Sequence, residues 1–139
     1  MHALAARSAD IGQYLIPIAC SAQALSRGQY IEVSALAISA LIQKVAIDAL
    51  KTNFPKLRPN GLDSRSFPST HSAAAFLGAG FLVAKEGSTT TTITTCAAAA
   101  FVALSHCYTL HHYFSDVLVG ASIGLILGAL AGSVSKAHI

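Results

Sequence analysis

The chain has 139 residues, of which 53% are hydrophobic and only 11% charged, with a net charge of +3. A soluble domain carries about a quarter charged residues, so the deficit points to a membrane protein, and the length suits one domain. The lysines and arginines form no stripe and interleave with no aromatic run, which excludes nucleic acid as a partner.

The first apolar stretch, 11–25, follows Arg7 and Asp10 and contains Pro17. It lacks the compact apolar block of a cleavable signal sequence and reads as a short helix. Residues 30–50 are apolar in rhythm but hold Glu32, Gln43, Lys44 and Asp48. Charges in a membrane helix face a bundle interior, a water-filled cavity or the interface. Lys44 and Asp48, four apart, are expected to pair or to face the cavity.

A bilayer crossing needs roughly 20 mostly apolar residues. Three later segments meet that need: 66–84, about 90–105 within the uncharged run 87–115, and 117–135. The run T-T-T-T-I-T-T at 89–95 reads as hydroxyls that cap a helix start or bond back to carbonyls. No strand alternation of useful length is present. The class is therefore all-α, an integral membrane bundle of about five helices forming a single membrane-embedded domain over 1–139, with short connections at 26–29 and 85–88.

Cys20, Cys96 and Cys107 fit no zinc or CxxC spacing and read as small apolar side chains. In the last helix Gly120, Gly124, Gly128 and Gly132 recur every four residues. Such a row lets helices approach closely, either inside the bundle or across a homo-oligomer interface. His2 and His138, near the termini, carry no signal.

The polar chemistry is concentrated in two loops, 51–67 and 106–115. The chain between them crosses the bilayer once out and once back, which puts both on the same face. The first contributes Lys51, Lys56, Arg58 and Arg65, followed by His71; the second contributes His106, His111, His112 and Asp116. Magnesium or calcium would want several oxygen ligands, and Asp116 is nearly alone. Zinc is the alternative that three histidines allow, but a phosphate-like anion accounts for the lysines and arginines as well. No metal or other cofactor is expected.

Residues 68–71 read P-S-T-H at the start of a helix. The first N–H groups of a helix lack internal partners and attract anions, and Pro68 suits the turn before it. His71 then falls in the first turn, placed to give or take a proton. Lys56 and Arg65 read as interfacial contacts to lipid headgroups, and His111 as a bystander. His112 and Asp116, four apart, would stack on one helix face. A carboxylate on one imidazole nitrogen would leave the other free as a nucleophile; an ordinary helix cap is the alternative for that pair.

In order along the chain, these elements are K-x6-R-P from Lys51 to Pro59, P-S-T-H at 68–71, and S-H-x5-H-x3-D from Ser105 to Asp116. The set resembles the type 2 phosphatidic acid phosphatase superfamily, whose pattern is K-x6-R-P, P-S-G-H and S-R-x5-H-x3-D. The match covers a motif-bearing core at 51–116.

The resemblance implies a metal-independent lipid phosphatase in which His112 attacks phosphorus to form a phosphohistidine. Asp116 would orient His112 and His71 would protonate the leaving oxygen. Lys51 and Arg58 would hold the phosphate oxygens, helped by Ser69 and the Thr70 amide. Phosphatidic acid, phosphatidylglycerol phosphate and polyprenyl pyrophosphates are the candidate substrates. A non-catalytic lipid-phosphate binding or transport protein that keeps the phosphate cradle is the alternative.

Three departures stand out: Thr70 for the family glycine, His106 for the family arginine, and only eight residues between Pro59 and Pro68. A protonated His106 would replace the arginine charge only in part, so mildly acidic conditions are expected to favour activity. The resemblance places the active face outward from a bacterial inner membrane, towards the periplasm or exterior. The amino terminus is then outside and the carboxyl terminus inside.

Overall fold

The computed structural model describes residues 2–137, with side chains described for 11–134, 136 and 137; His138 and the side chain of His2 lie outside it. Five helices follow in order: α1 (His2–Ser26), α2 (Tyr30–Asn53), α3 (Thr70–Glu86), α4 (Thr89–Tyr108) and α5 (Phe114–Lys136). Among the described residues there is no strand, only an isolated bridge between Lys56 and Arg65. The all-α reading holds, and the short connections fall where the sequence places them.

Helix ends follow local chemistry. Ser69 caps α3, its hydroxyl accepting from the Ser72 N–H at 3.3 Å. At the other end Gly87 takes the left-handed conformation, φ 65°, that stops the helix. Ser88 caps α4 by accepting from the Thr91 N–H at 3.1 Å. The threonine run then bonds back to its own helix, with Thr92 to Ser88 O, Thr94 to Thr90 O and Thr95 to Thr91 O.

Three helices are long and apolar enough to cross a membrane: Tyr30–Asn53, Thr89–Tyr108 and Phe114–Val134. Residues 66–69 of the segment expected at 66–84 belong to the preceding loop, and α3 is left with 17 residues. At about 1.5 Å per residue that is near the lower limit for a crossing, and α3 is the central helix rather than a lipid-facing one. Its Ala73, Ala75, Ala79 and Phe81 are fully or almost fully buried, whereas Ile38, Leu41 and Val45 of α2, Phe101 of α4 and Ile126 and Leu130 of α5 are exposed. Large apolar side chains facing outward are what a lipid solvent selects.

The most extensive packing is between α3 and α5. A Cβ at Gly120, Gly124, Gly128 or Gly132 would run into the carbonyl oxygen of Ser69, Ala73, Leu77 or Phe81 respectively. The glycine row is therefore consumed by α3 of the same chain. Of the two uses expected for that row, close packing inside the bundle is the one seen.

Two ion pairs tie charged groups on the helices. Lys85 of α3 meets Glu32 of α2 at 2.5 Å, both largely buried, at the end of the bundle away from the two polar loops. Lys44 and Asp48 pair at 2.7 Å. Cys20 is buried, and Cys96 and Cys107 are half-buried, all as free thiols.

Candidate active site

The carboxyl ends of α2 and α4 and the amino ends of α3 and α5 meet at one end of the bundle. The two polar loops lie together there, tied by a bond from the Asn60 N–H to Leu110 O at 3.1 Å. The loop 54–69 is closed on itself by Lys56 N–H to Ser64 O and Ser66 N–H to Lys56 O. Side chains from α2, α3, α4 and α5 converge at this end.

Three imidazoles form the centre. His71 stacks on His106 with ring centres 3.8 Å apart and planes at 25°. His112 stands 5.9 Å from His71 and 6.0 Å from His106. His106 and His112 are almost fully buried. His111 packs edge-on against His106, with ring centres 5.9 Å apart, and bonds through Nδ1 to the Thr109 hydroxyl at 2.9 Å.

His112 Nδ1 lies 2.7 Å from the Ser66 carbonyl oxygen. A carbonyl can only accept, so Nδ1 carries the proton and Nε2 presents its lone pair. That Nε2 is buried and has no hydrogen-bond partner among the described residues. Burial pushes the His112 pKa down from 6.5 to about 3, opposed by the Ser66 bond and assisted by the charges of Arg58, Lys51 and His71. The imidazole is thus neutral at physiological pH.

Between pH 6.5 and about 3 the unfolded imidazole takes up a proton that the folded one refuses, so this group makes the fold less stable as pH falls through that window. An NMR titration of ¹⁵N-histidine-labelled protein is expected to find His112 neutral at about pH 5, where an unperturbed histidine is charged. A His112 midpoint near 6.5 would contradict the burial argument.

Asp116 is fully buried, but it does not bond His112. Its Oδ1 pairs with Lys56 Nζ at 2.5 Å. Its Oδ2 accepts from the Ser66 hydroxyl at 2.5 Å and from the Tyr113 N–H at 3.3 Å. The expected stack of His112 and Asp116 on one helix face is corrected here, because α5 begins at Phe114 and His112 lies before it. The N–H groups of His111 and His112 both donate to His106 O, and Leu110 turns the chain with φ 58°.

Lys51 is buried, and its ammonium donates to Arg65 O at 2.8 Å and Pro68 O at 2.7 Å. An ammonium has three protons, so a third is left for a ligand. Arg58 is held through Nε by Asp63 at 2.7 Å. Ser69 is fully buried and committed to structure, its N–H donating to Asp116 O at 3.0 Å and its hydroxyl capping α3. Thr70, the first residue of α3, lines a cleft of about 340 Å³ between α1, α2 and α3, with Pro17, Ile47 and Leu77. Among the described residues no three His, Cys, Asp or Glu side chains are grouped to hold a metal ion.

Two participants escaped the sequence reading. Lys56 was expected at the lipid interface and Ser66 inside a membrane span, yet both bind Asp116. The only sequence signal for them is indirect: a buried carboxylate at the start of an apolar helix needs a cation and donors from elsewhere.

The chain has known relatives. The fold is similar to that of the crystal structure of Aquifex aeolicus LpxE, with a TM-score of 0.76, 24% identity, and coverage of 94% of this chain and 84% of that one; at that identity the likeness speaks to fold alone. A lipid A 1-phosphatase of Porphyromonas gingivalis is 34% identical over 91 residues, 64% of this chain. The match takes in 20% of that relative, so the chain corresponds to about a fifth of its length. The family model of the PAP2 superfamily matches residues 31–138, which contain all three motifs and every side chain of the site, and the chain belongs to that superfamily.

Proposed function

We propose that this chain is a membrane lipid phosphatase that hydrolyses a phosphate monoester or pyrophosphate through a phosphohistidine on His112, without a metal. The observation that carries this reading is the tautomer and setting of His112: Nδ1–H held by the Ser66 carbonyl, Nε2 buried with its lone pair available, and the charges of Lys51 and Arg58 nearby. A neutral imidazole beside fixed cations is a nucleophile matched to an anionic phosphorus centre.

In the first step Nε2 bonds phosphorus and the bond to the lipid oxygen breaks, that oxygen taking a proton from His71. Ring centres 5.9 Å apart leave His71 within reach of an oxygen on a phosphorus attached to His112. In the second step water attacks the phosphohistidine, His71 takes its proton, and inorganic phosphate leaves. Lys51 and Arg58 balance the negative charge throughout, in the manner of phosphoryl-transfer sites that work by positioning and electrostatics.

A lipid substrate suits a site at a bundle end, where Thr70 borders a cleft lined by Pro17, Ile47, Ala74 and Leu77 together with the polar Gln43, Lys44 and Asp48. Phosphatidic acid, phosphatidylglycerol phosphate and undecaprenyl pyrophosphate are the candidates. The bacterial origin of the relatives supports an inner-membrane location, and the family resemblance an outward-facing site. Five helices that alternate in direction start α1 on the same side as the site.

Phosphate release from those three lipids by detergent-purified protein, with EDTA present, is the test. EDTA-resistant release supports the reading, and the ranking of lipids names the substrate class. Silence across the panel and across pH favours the lipid-phosphate binding protein instead. If His106 must be protonated to replace the family arginine, release rises below neutrality and His106→Gln flattens that rise. An unaltered profile in His106→Gln removes His106 from the pH dependence.

A further inference from the structure

We infer that Lys56 and Ser66 are positioning residues that couple the Asp116 carboxylate to the His112 imidazole, with Ser66 as the link between them. This rests on the phosphatase reading for its kinetic consequences, but not for its geometry.

Ser66 is fully buried and uses two of its groups on the two partners. Its hydroxyl donates to Asp116 Oδ2 at 2.5 Å, and its carbonyl oxygen accepts from His112 Nδ1–H at 2.7 Å. The position of the carbonyl, and with it the direction of the ring, is therefore pinned by the carboxylate. Asp116 is fixed in turn by Lys56, whose ammonium meets Oδ1 at 2.5 Å and Ser115 Oγ at 3.1 Å, and lies 4.5 Å from the centre of the Tyr113 ring. Without Lys56 the buried carboxylate would lack its cation and would be driven to protonate or move.

Lys56 thus acts from a half-exposed position on a chain Lys56–Asp116–Ser66–His112. The chain does the work that a direct carboxylate–imidazole bond would do: it selects the Nδ1–H tautomer and favours the positive charge that the ring gains when Nε2 bonds phosphorus. Neither Lys56 nor Ser66 touches the substrate in this account, so their loss should slow the chemical step without weakening binding.

The test is a double-mutant cycle on the full chain in detergent, with dioctanoyl phosphatidic acid as the probe. Lys56→Met is expected to lower kcat about 10- to 100-fold, as for loss of a bond to a buried charge, with KM unchanged, and Lys56→Arg should restore most of the rate. In an Asp116→Asn background Lys56→Met should cost nothing further, because its partner is already gone. Independent, multiplicative losses, or a change confined to KM, would overturn the inference.

A second readout needs no turnover. In ¹⁵N-histidine spectra of the resting protein, Ser66→Ala and Lys56→Met should both shift the His112 Nδ1 resonance. Unchanged His112 resonances in both variants would overturn the inference even if the wild-type protein released no phosphate. Absence of wild-type release, with the resonances shifted, would count against the phosphatase reading and leave the coupling standing.

Discussion

Replacement of His112 by alanine is expected to lower phosphate release on the order of 10⁴-fold or more, the scale on which loss of a covalent nucleophile is felt. His71 lies 5.9 Å away, with its ring stacked on His106, and His111 is turned to Thr109. His112→Gln, which keeps a polar group of similar reach in the buried space, should be equally inactive, and its melting temperature in detergent separates lost chemistry from lost fold. Appreciable turnover by either folded variant would mean that phosphate passes directly to water.

Lys51→Met should reduce kcat/KM by about 10²- to 10³-fold, as removal of a fixed charge from a transition-state cradle does. Two losses combine. The phosphate loses a cation, and the Arg65 and Pro68 carbonyls lose the ammonium that draws the 65–68 segment towards α2. Lys51→Arg keeps the charge but cannot place a compact ammonium between two carbonyls, so recovery should be partial. A steady-state comparison of the three proteins checks this, and full activity in Lys51→Met would remove Lys51 from the cradle.

How far the sequence shows the structure depends on the range of the interaction. Local signals were readable: the threonines of 89–95 bond back to their own helix. The placement of both polar loops at one end followed from two crossings and needed no contact information. The glycine spacing announced a close helix approach, but only the α3 backbone identifies the neighbour.

Long-range side-chain partners were not readable. Asp116 and Ser66 are separated by 50 positions along the chain and Asp116 and Lys56 by 60, and no periodicity connects them. The H-x3-D spacing suggested a helical stack, yet the chain turns at Leu110 with a positive φ and no glycine marks the place. Ser66 looked apolar by association with the run that follows it. In the fold it belongs to the loop whose backbone faces His112.

In the proposed mechanism phosphate passes through His112. The most direct measurement is a rapid acid-free quench of the protein with ³²P-labelled phosphatidic acid in EDTA, followed by mapping of the protein-bound label. The account predicts an acid-labile, alkali-stable label on the peptide containing His112, formed and lost at rates compatible with turnover. Phosphate release without such a label, label on another residue, or label formation abolished by EDTA would contradict it.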